Sequence, residues 1–334
     1  MKYLRLLFAA ILFAFISTQA SAQQSERDRG IKLYQNGNDV EAVSVLSTVS
    51  KQKEFASDAE VLNYLGLAYL NTDDSKKARK TLEKAVKLQP QNSLYRSNLA
   101  YVYLFVRQIN KSQDQAEKAL QIDPSNVFAY YVMGTGELWE GKLDNTLSTA
   151  EKMSSIDATF PQAYMLKSDV FIAKLGKRLA GGSTVKQEID LLRQSVDALE
   201  TGVKNSQPNA NRKEIEEKLE GMKVFYAHYS KDRTLTPGVP PVPEPGVTPM
   251  KIMRKPRASY TDNARQAGKS GTVRLAVLLG ANGKIQYILK LLGIGYGLDE
   301  QAVRAARQIV FEPKMKDGIP ISTVVIIEYT FSIY

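Results

Sequence analysis

The chain has 334 residues, with 45 Lys and Arg against 35 Asp and Glu, no Cys and one His. The lack of Cys excludes disulfides, Cys-containing metal sites and a Cys nucleophile, and a single His excludes metal sites built on a His pair. A hydrophobic content of 43% is enough for folded cores, so binding, scaffolding and transport proteins are the classes that remain.

The N-terminus has the pattern of a secretory signal peptide. A positively charged start precedes an uninterrupted apolar run of 11 residues, Leu6–Ile16, and small residues follow at positions 20–22. A spanning helix needs about 20 apolar residues. We therefore predict a signal peptide over residues 1–22, cleaved between Ala22 and Gln23, and a periplasmic mature protein. The alternative is an uncleaved anchor in the inner membrane, with the rest of the chain facing the periplasm.

A period of 34 residues runs through the N-terminal half. In a frame that begins at Ala59, one column holds large apolar residues and the next holds small ones. Small side chains at fixed positions allow two antiparallel helices to cross closely, and a proline ends each of the first two units. The large residues are Leu65, Leu99 and Met133, and the small ones are Gly66, Ala100 and Gly134.

This pattern resembles the tetratricopeptide repeat family, whose unit is a helix-turn-helix of 34 residues. Residues 59–92 and 93–126 match well, and residues 127–160 form a degenerate third unit. We predict a helical repeat domain over residues 23–232, with a terminal helix over residues 213–229.

The resemblance implies a groove lined by the first helix of each repeat, which would hold a peptide or a neighbouring helix. The alternative is that the same aromatic residues pack between adjacent repeats. By this analogy the groove residues are Asn63, Leu67, Tyr101, Phe105, Phe128, Tyr131 and Trp139. No acidic pair or metal-ligand cluster stands out among them, so we expect the repeats to bind protein and to need no metal or other cofactor.

A run of prolines separates the two halves. Seven of the 13 prolines lie between Pro237 and Pro256. Because proline fixes φ and lacks an N–H, the stretch from Thr236 to Gly246 can join neither a helix nor a sheet. We predict a proline-rich linker over residues 233–250, acting either as an inert tether or as a docking site for a proline-reading module.

The positive charge of the chain is concentrated after this linker. From Val247 onward, 13 Lys and Arg stand against six Asp and Glu. This balance favours anionic partner segments or a membrane surface, or it serves solubility alone. Nucleic acid is not expected as a partner of an exported protein.

The C-terminal part follows a strand pattern with a period of two. Apolar alternation over residues 273–279, followed by the turn sequence Asn282-Gly283, predicts a hairpin. A helix over residues 298–308 and a long strand over residues 321–333 follow, and a short helix comes first. We predict a small α+β domain over residues 251–334, with a three-stranded sheet and two helices.

These residues resemble the TonB C-terminal domain family, whose members end periplasmic energy-transducing proteins. The residues that carry the resemblance are Pro256, Tyr260, Gly271-Thr272-Val273, Gly283, Gly295-Tyr296-Gly297-Leu298-Asp299, Phe311-Glu312-Pro313 and Phe331. The resemblance implies capture of a short segment of a TonB-dependent outer-membrane receptor by strand addition to a sheet edge.

The candidate binding edge is the last strand, between Ser322 and Thr330. Its outward side chains are expected to be Ser322, Val324, Ile326, Glu328 and Thr330. A proline at Val325 is expected to abolish binding while the domain stays folded. The alternative is that this apolar edge pairs with a second copy and forms a homodimer.

Together these patterns predict a periplasmic adaptor that holds one protein in its repeats and another at its TonB-like domain. The alternative is a membrane-anchored TonB-type energy transducer for receptor-mediated transport. Family transducers carry a Ser and a His one turn apart in a membrane helix, whereas the single histidine here, His228, lies beyond the repeats. No nucleophile, base and orienting group occur at a plausible spacing, so we expect no catalytic residues and no enzyme.

Overall fold

The structure is a computed structural model that describes residues 25–183, 188–208, 210–231 and 245–333. The predicted signal peptide over residues 1–22, its cleavage site at Ala22 and Gln23, and all but the last residues of the predicted linker lie outside the described residues. The chain divides into two compact units, Met1–Gly136 and Glu137–Tyr334.

The first unit consists of consecutive helices. They are α1 (residues 25–35), α2 (Asp39–Val49), α3 (Ala59–Asn71), α4 (Ser75–Leu88), α5 (Ser93–Phe105), α6 (Ile109–Ile122) and α7 (Val127–Trp139), the last of which ends in the second unit. Helix α3 packs on α4 and α5 packs on α6, which confirms helix pairs with a 34-residue period.

Local chemistry explains where these helices begin and cross. Asp58 and Asn92 cap α3 and α5 by accepting hydrogen bonds from backbone amides of the first turn. The small residue Gly66 lies directly against Leu82 of α4, so a larger side chain would separate the pair. In the next repeat, Ser112 donates a hydrogen bond of 2.8 Å to the carbonyl oxygen of Ala100.

The second unit begins with the end of α7 and continues with four helices. These are α8 (Leu143–Ile156), α9 (Pro161–Ala180), α10 (Ile189–Asn205) and α11 (Ala210–Lys231). Helix α9 packs on α8, α10 and α11. The predicted terminal helix over residues 213–229 lies inside α11.

The rest of the second unit is an α+β domain. Its elements are β1 (Val247–Thr248), β2 (Lys251–Arg254), α12 (Asp262–Gln266), β3 (Gly271–Leu279), β4 (Ile285–Leu292), α13 (Leu298–Ala306), β5 (Val310–Glu312), β6 (Lys314–Lys316), β7 (Ile319–Ile321) and β8 (Thr323–Phe331). The main sheet is antiparallel with the order β4-β3-β8, which confirms the predicted three-stranded sheet with two helices. The five remaining strands have only two to four residues and were not predicted, because they are too short to show an alternating pattern. One of them, β1, lies inside the linker predicted over residues 233–250 and pairs with β6, so the end of that segment belongs to the α+β domain.

One face of the main sheet builds the core of this domain. Alternate residues of β3, from Val273 to Leu279, are buried together with Leu298 and Ala302 of α13 and with Tyr329 and Phe331 of β8. The apolar alternation read from the sequence is therefore the core face of the strand. Among the described helices, none combines the length and the apolar character that crossing a membrane requires.

Candidate protein-interaction site

Strand β8 lies at an edge of the main sheet. It pairs with β3 in an unbroken antiparallel register from Thr323 to Phe331, and no other described strand pairs with it. Its second edge, like the outer edge of β4 at the other side of the sheet, is therefore a place where the described part of the sheet could accept another strand.

The direction of the backbone groups along β8 follows from its pairing. The Gly280 N–H donates to the Lys284 carbonyl oxygen at 2.9 Å in the β3–β4 hairpin, so the even-numbered residues of β3 face β4 and the odd-numbered residues face β8. Since Val277 is opposite Val325, the odd-numbered residues of β8 bond to β3. The even-numbered residues Ile326, Glu328 and Thr330 consequently direct their N–H and C=O groups away from the sheet.

A side-chain contact agrees with this assignment. The Lys255 ammonium donates a hydrogen bond of 2.7 Å to the carbonyl oxygen of Glu328. It also lies 5.0 Å from the centroid of the Tyr329 ring. Burial raises the pKa of Tyr329 to about 12. The carbonyl of Glu328 is therefore accessible from outside the sheet, and a cation already lies against it.

The side chains at this edge have neighbours within the sheet. Arg274 of β3 forms an ion pair of 2.6 Å with Glu328. The hydroxyl oxygens of Thr272 and Thr330 are 3.2 Å apart. An exposed ion pair of this kind contributes about 0–1 kcal/mol. The side chains of Glu328 and Thr330 contact side chains of β3 rather than extending beyond the edge. A strand that arrives in the plane of the sheet would therefore meet mainly the backbone of β8.

The face of the sheet opposite α13 is covered by helices of the same unit. Helix α9 contacts β4 and helix α11 contacts β8. A Cβ added at Gly176 of α9 would overlap the carbonyl oxygen of Leu291, and one added at Gly221 of α11 would overlap the Tyr287 ring. Phe225 of α11 also contacts Tyr287 edge to face, with ring centroids 5.4 Å apart. Glycines in the helices thus allow the sheet to pack closely.

This packing corrects the prediction for one edge residue. Val324 was expected to point outward into solvent, but its side chain is only 1% exposed. It pairs with the buried Leu278 and shares the helix-covered face of the sheet. Ser322 and Ile326 are half-buried, while Glu328 and Thr330 are exposed. Only the C-terminal half of the predicted edge therefore presents side chains to solvent.

The predicted groove residues of the first unit form part of an aromatic row. Tyr101 lies 5.5 Å from Phe128 between ring centroids, and Phe128 lies 6.0 Å from Tyr131. These three residues and Leu67 are half-buried, and Phe105 is 50% exposed. The structure thus brings three of the predicted aromatics together on α5 and α7. Trp139 belongs to the second unit, where it is 41% exposed.

Asn63 was predicted to line the repeat groove, but it is buried. It is 2% exposed, and its side-chain oxygen accepts a hydrogen bond of 2.8 Å from the Asn98 amide. A buried amide needs such a partner because losing its hydrogen bond to water is unfavourable. Asn63 therefore joins α3 to α5 rather than lining a groove.

Sequence reasoning missed two further aromatic residues on the first helices. Tyr34 of α1 and Tyr64 of α3 lie 5.4 Å apart between ring centroids. Burial raises the pKa of Tyr34, with a smaller contribution from Asp39. The column comparison could not find Tyr64, because the residue 34 positions later is Asn98 rather than an aromatic residue.

Two family models match the chain. Residues 256–333 match the Gram-negative bacterial TonB protein C-terminal family, and residues 59–92 match the Tetratricopeptide repeat family. The chain combines tetratricopeptide repeats with a TonB C-terminal domain. Both domains imply protein partners. No curated protein matches it.

Several solved structures are similar to the repeat region. TTC0263, a thermophilic tetratricopeptide repeat protein of Thermus thermophilus, is 14% identical with a TM-score of 0.48, and the match covers 62% of this chain and 98% of that chain. A crystal structure of MamA protein is 21% identical with a TM-score of 0.43, covering 56% and 97% of the two chains. The tetratricopeptide repeat domain of Arabidopsis OM64 is 22% identical with a TM-score of 0.33, covering 34% and 93%.

Within the described residues, no group of three or more His, Cys, Asp or Glu residues could hold a metal ion. The backbone of His228 lies in α11, and its side chain is outside the described part of the structure.

The close approach of α9 and β4 is testable by substitution. We expect Gly176→Ala to destabilise the second unit by about 1–3 kcal/mol, because the added methyl group must push α9 away from the Leu291 backbone. Chemical denaturation and hydrogen exchange of the β4 amides would measure the loss.

Gly136→Ala in α7 is the matched control, since its nearest neighbouring atom is 3.7 Å from an added Cβ. There the helix gains about 0.5–1 kcal/mol from replacing glycine. Equal effects of the two substitutions on the free energy of unfolding would contradict the close packing of α9 on β4.

Proposed function

We propose that the protein is a periplasmic adaptor whose TonB domain binds a partner segment by strand addition to the outer edge of β8. The observation that carries the proposal is the outward direction of the backbone groups of Ile326, Glu328 and Thr330 on an edge strand. A peptide in extended conformation would satisfy these groups by forming a ladder.

The binding energy would come mainly from the main chain. Each backbone hydrogen bond contributes about 0.5–1.5 kcal/mol net, so a few of them give modest affinity. Side chains of the partner that alternate across the sheet plane would contact the half-buried Ile326 and the exposed Thr330. The partner class that this mode fits is a short periplasm-facing segment of an outer-membrane receptor.

The repeats would bind a second protein. Two aromatic pairs on the first helices, Tyr34 with Tyr64 and Tyr101 with Phe128, support an amphipathic helix or an extended peptide as the occupant. Neither function involves bond making or breaking, and we therefore assign no catalytic role to the chain.

A proline substitution tests strand addition. We expect Ile326→Pro to abolish binding of synthetic receptor segments to the full-length protein, because it removes an outward N–H while the ladder to β3 stays intact. Affinity by fluorescence polarisation should fall at least tenfold, with the thermal unfolding of the variant close to that of the wild type.

The matched substitution is Val325→Pro, one residue earlier. Its N–H bonds to β3 opposite Val277, so we expect this variant to lose the folded domain. This corrects the expectation that a proline at Val325 spares the fold. Ile326→Val, which keeps the backbone donor, should bind as the wild type does. Unchanged peptide binding by a folded Ile326→Pro variant would place the site elsewhere.

The proposed location has its own test. In a Gram-negative cell we expect a soluble periplasmic species whose intact mass corresponds to a chain that begins at Gln23, because the apolar run of 11 residues is short for a spanning helix. A membrane-held species that retains Met1 would contradict the adaptor and support a membrane-anchored energy transducer.

A further inference from the structure

Lys255 contacts the outer edge of β8, although the two are far apart in the sequence. Its ammonium donates a hydrogen bond to the Glu328 carbonyl oxygen across a separation of 73 residues. The same ammonium lies over the face of the Tyr329 ring, at 5.0 Å from its centroid. Two attractive contacts, one charge-assisted and one cation–π, therefore fix a single side chain against two successive residues of the edge strand.

The backbone on both sides of Lys255 is restrained. The preceding residues 251–254 form β2, which pairs with β5 through Lys251 opposite Glu312 and Ile252 opposite Phe311. The next residue is Pro256, which restricts Lys255 to extended conformations. Because the backbone is already held, ordering the side chain costs less conformational entropy than it would in a free loop.

The position that Lys255 occupies is the one that an added strand needs. An incoming backbone N–H would have to approach the Glu328 oxygen to about 2.9 Å from the outer side. The Lys255 ammonium already lies 2.7 Å from that oxygen. An added strand therefore competes with the ammonium for the Glu328 oxygen.

We propose that Lys255 is a latch that closes the β8 edge at Glu328 and must be displaced before a strand adds. This inference deepens the proposed strand addition and rests on it for its biological meaning. Lysine at a sheet edge is a general means of preventing edge-to-edge association, and here a specific contact locates the block.

The latch discriminates between partners. If two copies paired symmetrically through their β8 edges, both Lys255 ammonium groups would have to leave their carbonyls. A receptor segment that adds to one copy displaces a single lysine. The closed edge therefore disfavours the homodimer more strongly than it disfavours a foreign strand.

Self-association of the full-length protein tests the latch without any ligand. We expect Lys255→Met, which keeps the stem but removes the ammonium, to strengthen dimerisation roughly tenfold or more in sedimentation velocity. Ile326→Pro in the same chain should restore the wild-type distribution, which shows that the new dimer uses the β8 edge. Lys255→Arg, which keeps a charged donor, should resemble the wild type.

Lys251→Met is the control for loss of one charge from the same segment, because Lys251 is an exposed residue of β2. We expect it to leave the distribution unchanged. The latch is contradicted if Lys255→Met does not change self-association, if Lys251→Met changes it equally, or if the wild type already forms a dimer that Ile326→Pro disrupts. Thermal unfolding verifies that each variant is folded. Lys255→Ala also removes the ammonium and is the second variant for the same test.

Peptide affinity on the same variants separates this inference from the proposed function. If strand addition and the latch are both correct, Lys255→Met should bind receptor segments roughly tenfold more tightly, and Ile326→Pro should abolish the gain. Binding that Ile326→Pro abolishes but Lys255→Met leaves unchanged refutes the latch alone. Binding that is insensitive to Ile326→Pro refutes strand addition, and self-association then decides the latch.

Discussion

The alternation of backbone direction along an antiparallel strand decides which residues of β8 can bind a partner. Because each residue directs its N–H and C=O to the same side, pairing Val325 with Val277 commits the odd-numbered residues to β3. Ile326, Glu328 and Thr330 are left to face outward. Both the proposed strand addition and the Lys255 latch depend on this alternation, and so does the choice of position for each substitution.

The second constraint is that helices of the second unit pack on both faces of the sheet. Helix α13 covers one face, and α9 and α11 contact strands of the other. Gly176 and Gly221 permit this contact because neither carries a side chain at the point of closest approach. The TonB domain therefore offers a partner its edge, rather than a face, and its sheet packs directly on terminal helices of the repeat region.

Regular patterns could be predicted from the sequence, whereas long-range contacts could not. The 34-residue period revealed the helix pairs because small residues such as Gly66 recur at each crossing, and the alternation along β3 revealed the core face. The burial of Val324 depends on helices far away in the sequence, and the burial of the Asn63 amide is tolerated because Asn98 donates a hydrogen bond to it. The contact between Lys255 and β8 could be found only from the structure, because no local sequence pattern distinguishes Lys255 from its basic neighbours.

Residue-resolved hydrogen exchange of the full-length protein with a bound receptor segment tests the central claim most directly. Strand addition at the outer edge predicts that exchange slows at the amides of Ile326, Glu328 and Thr330, which face outward. The amides of Val325, Ile327 and Tyr329 are already bonded to β3 and should change little. Protection confined to the first helices of the repeats, with no change at these three outward amides, would contradict the account.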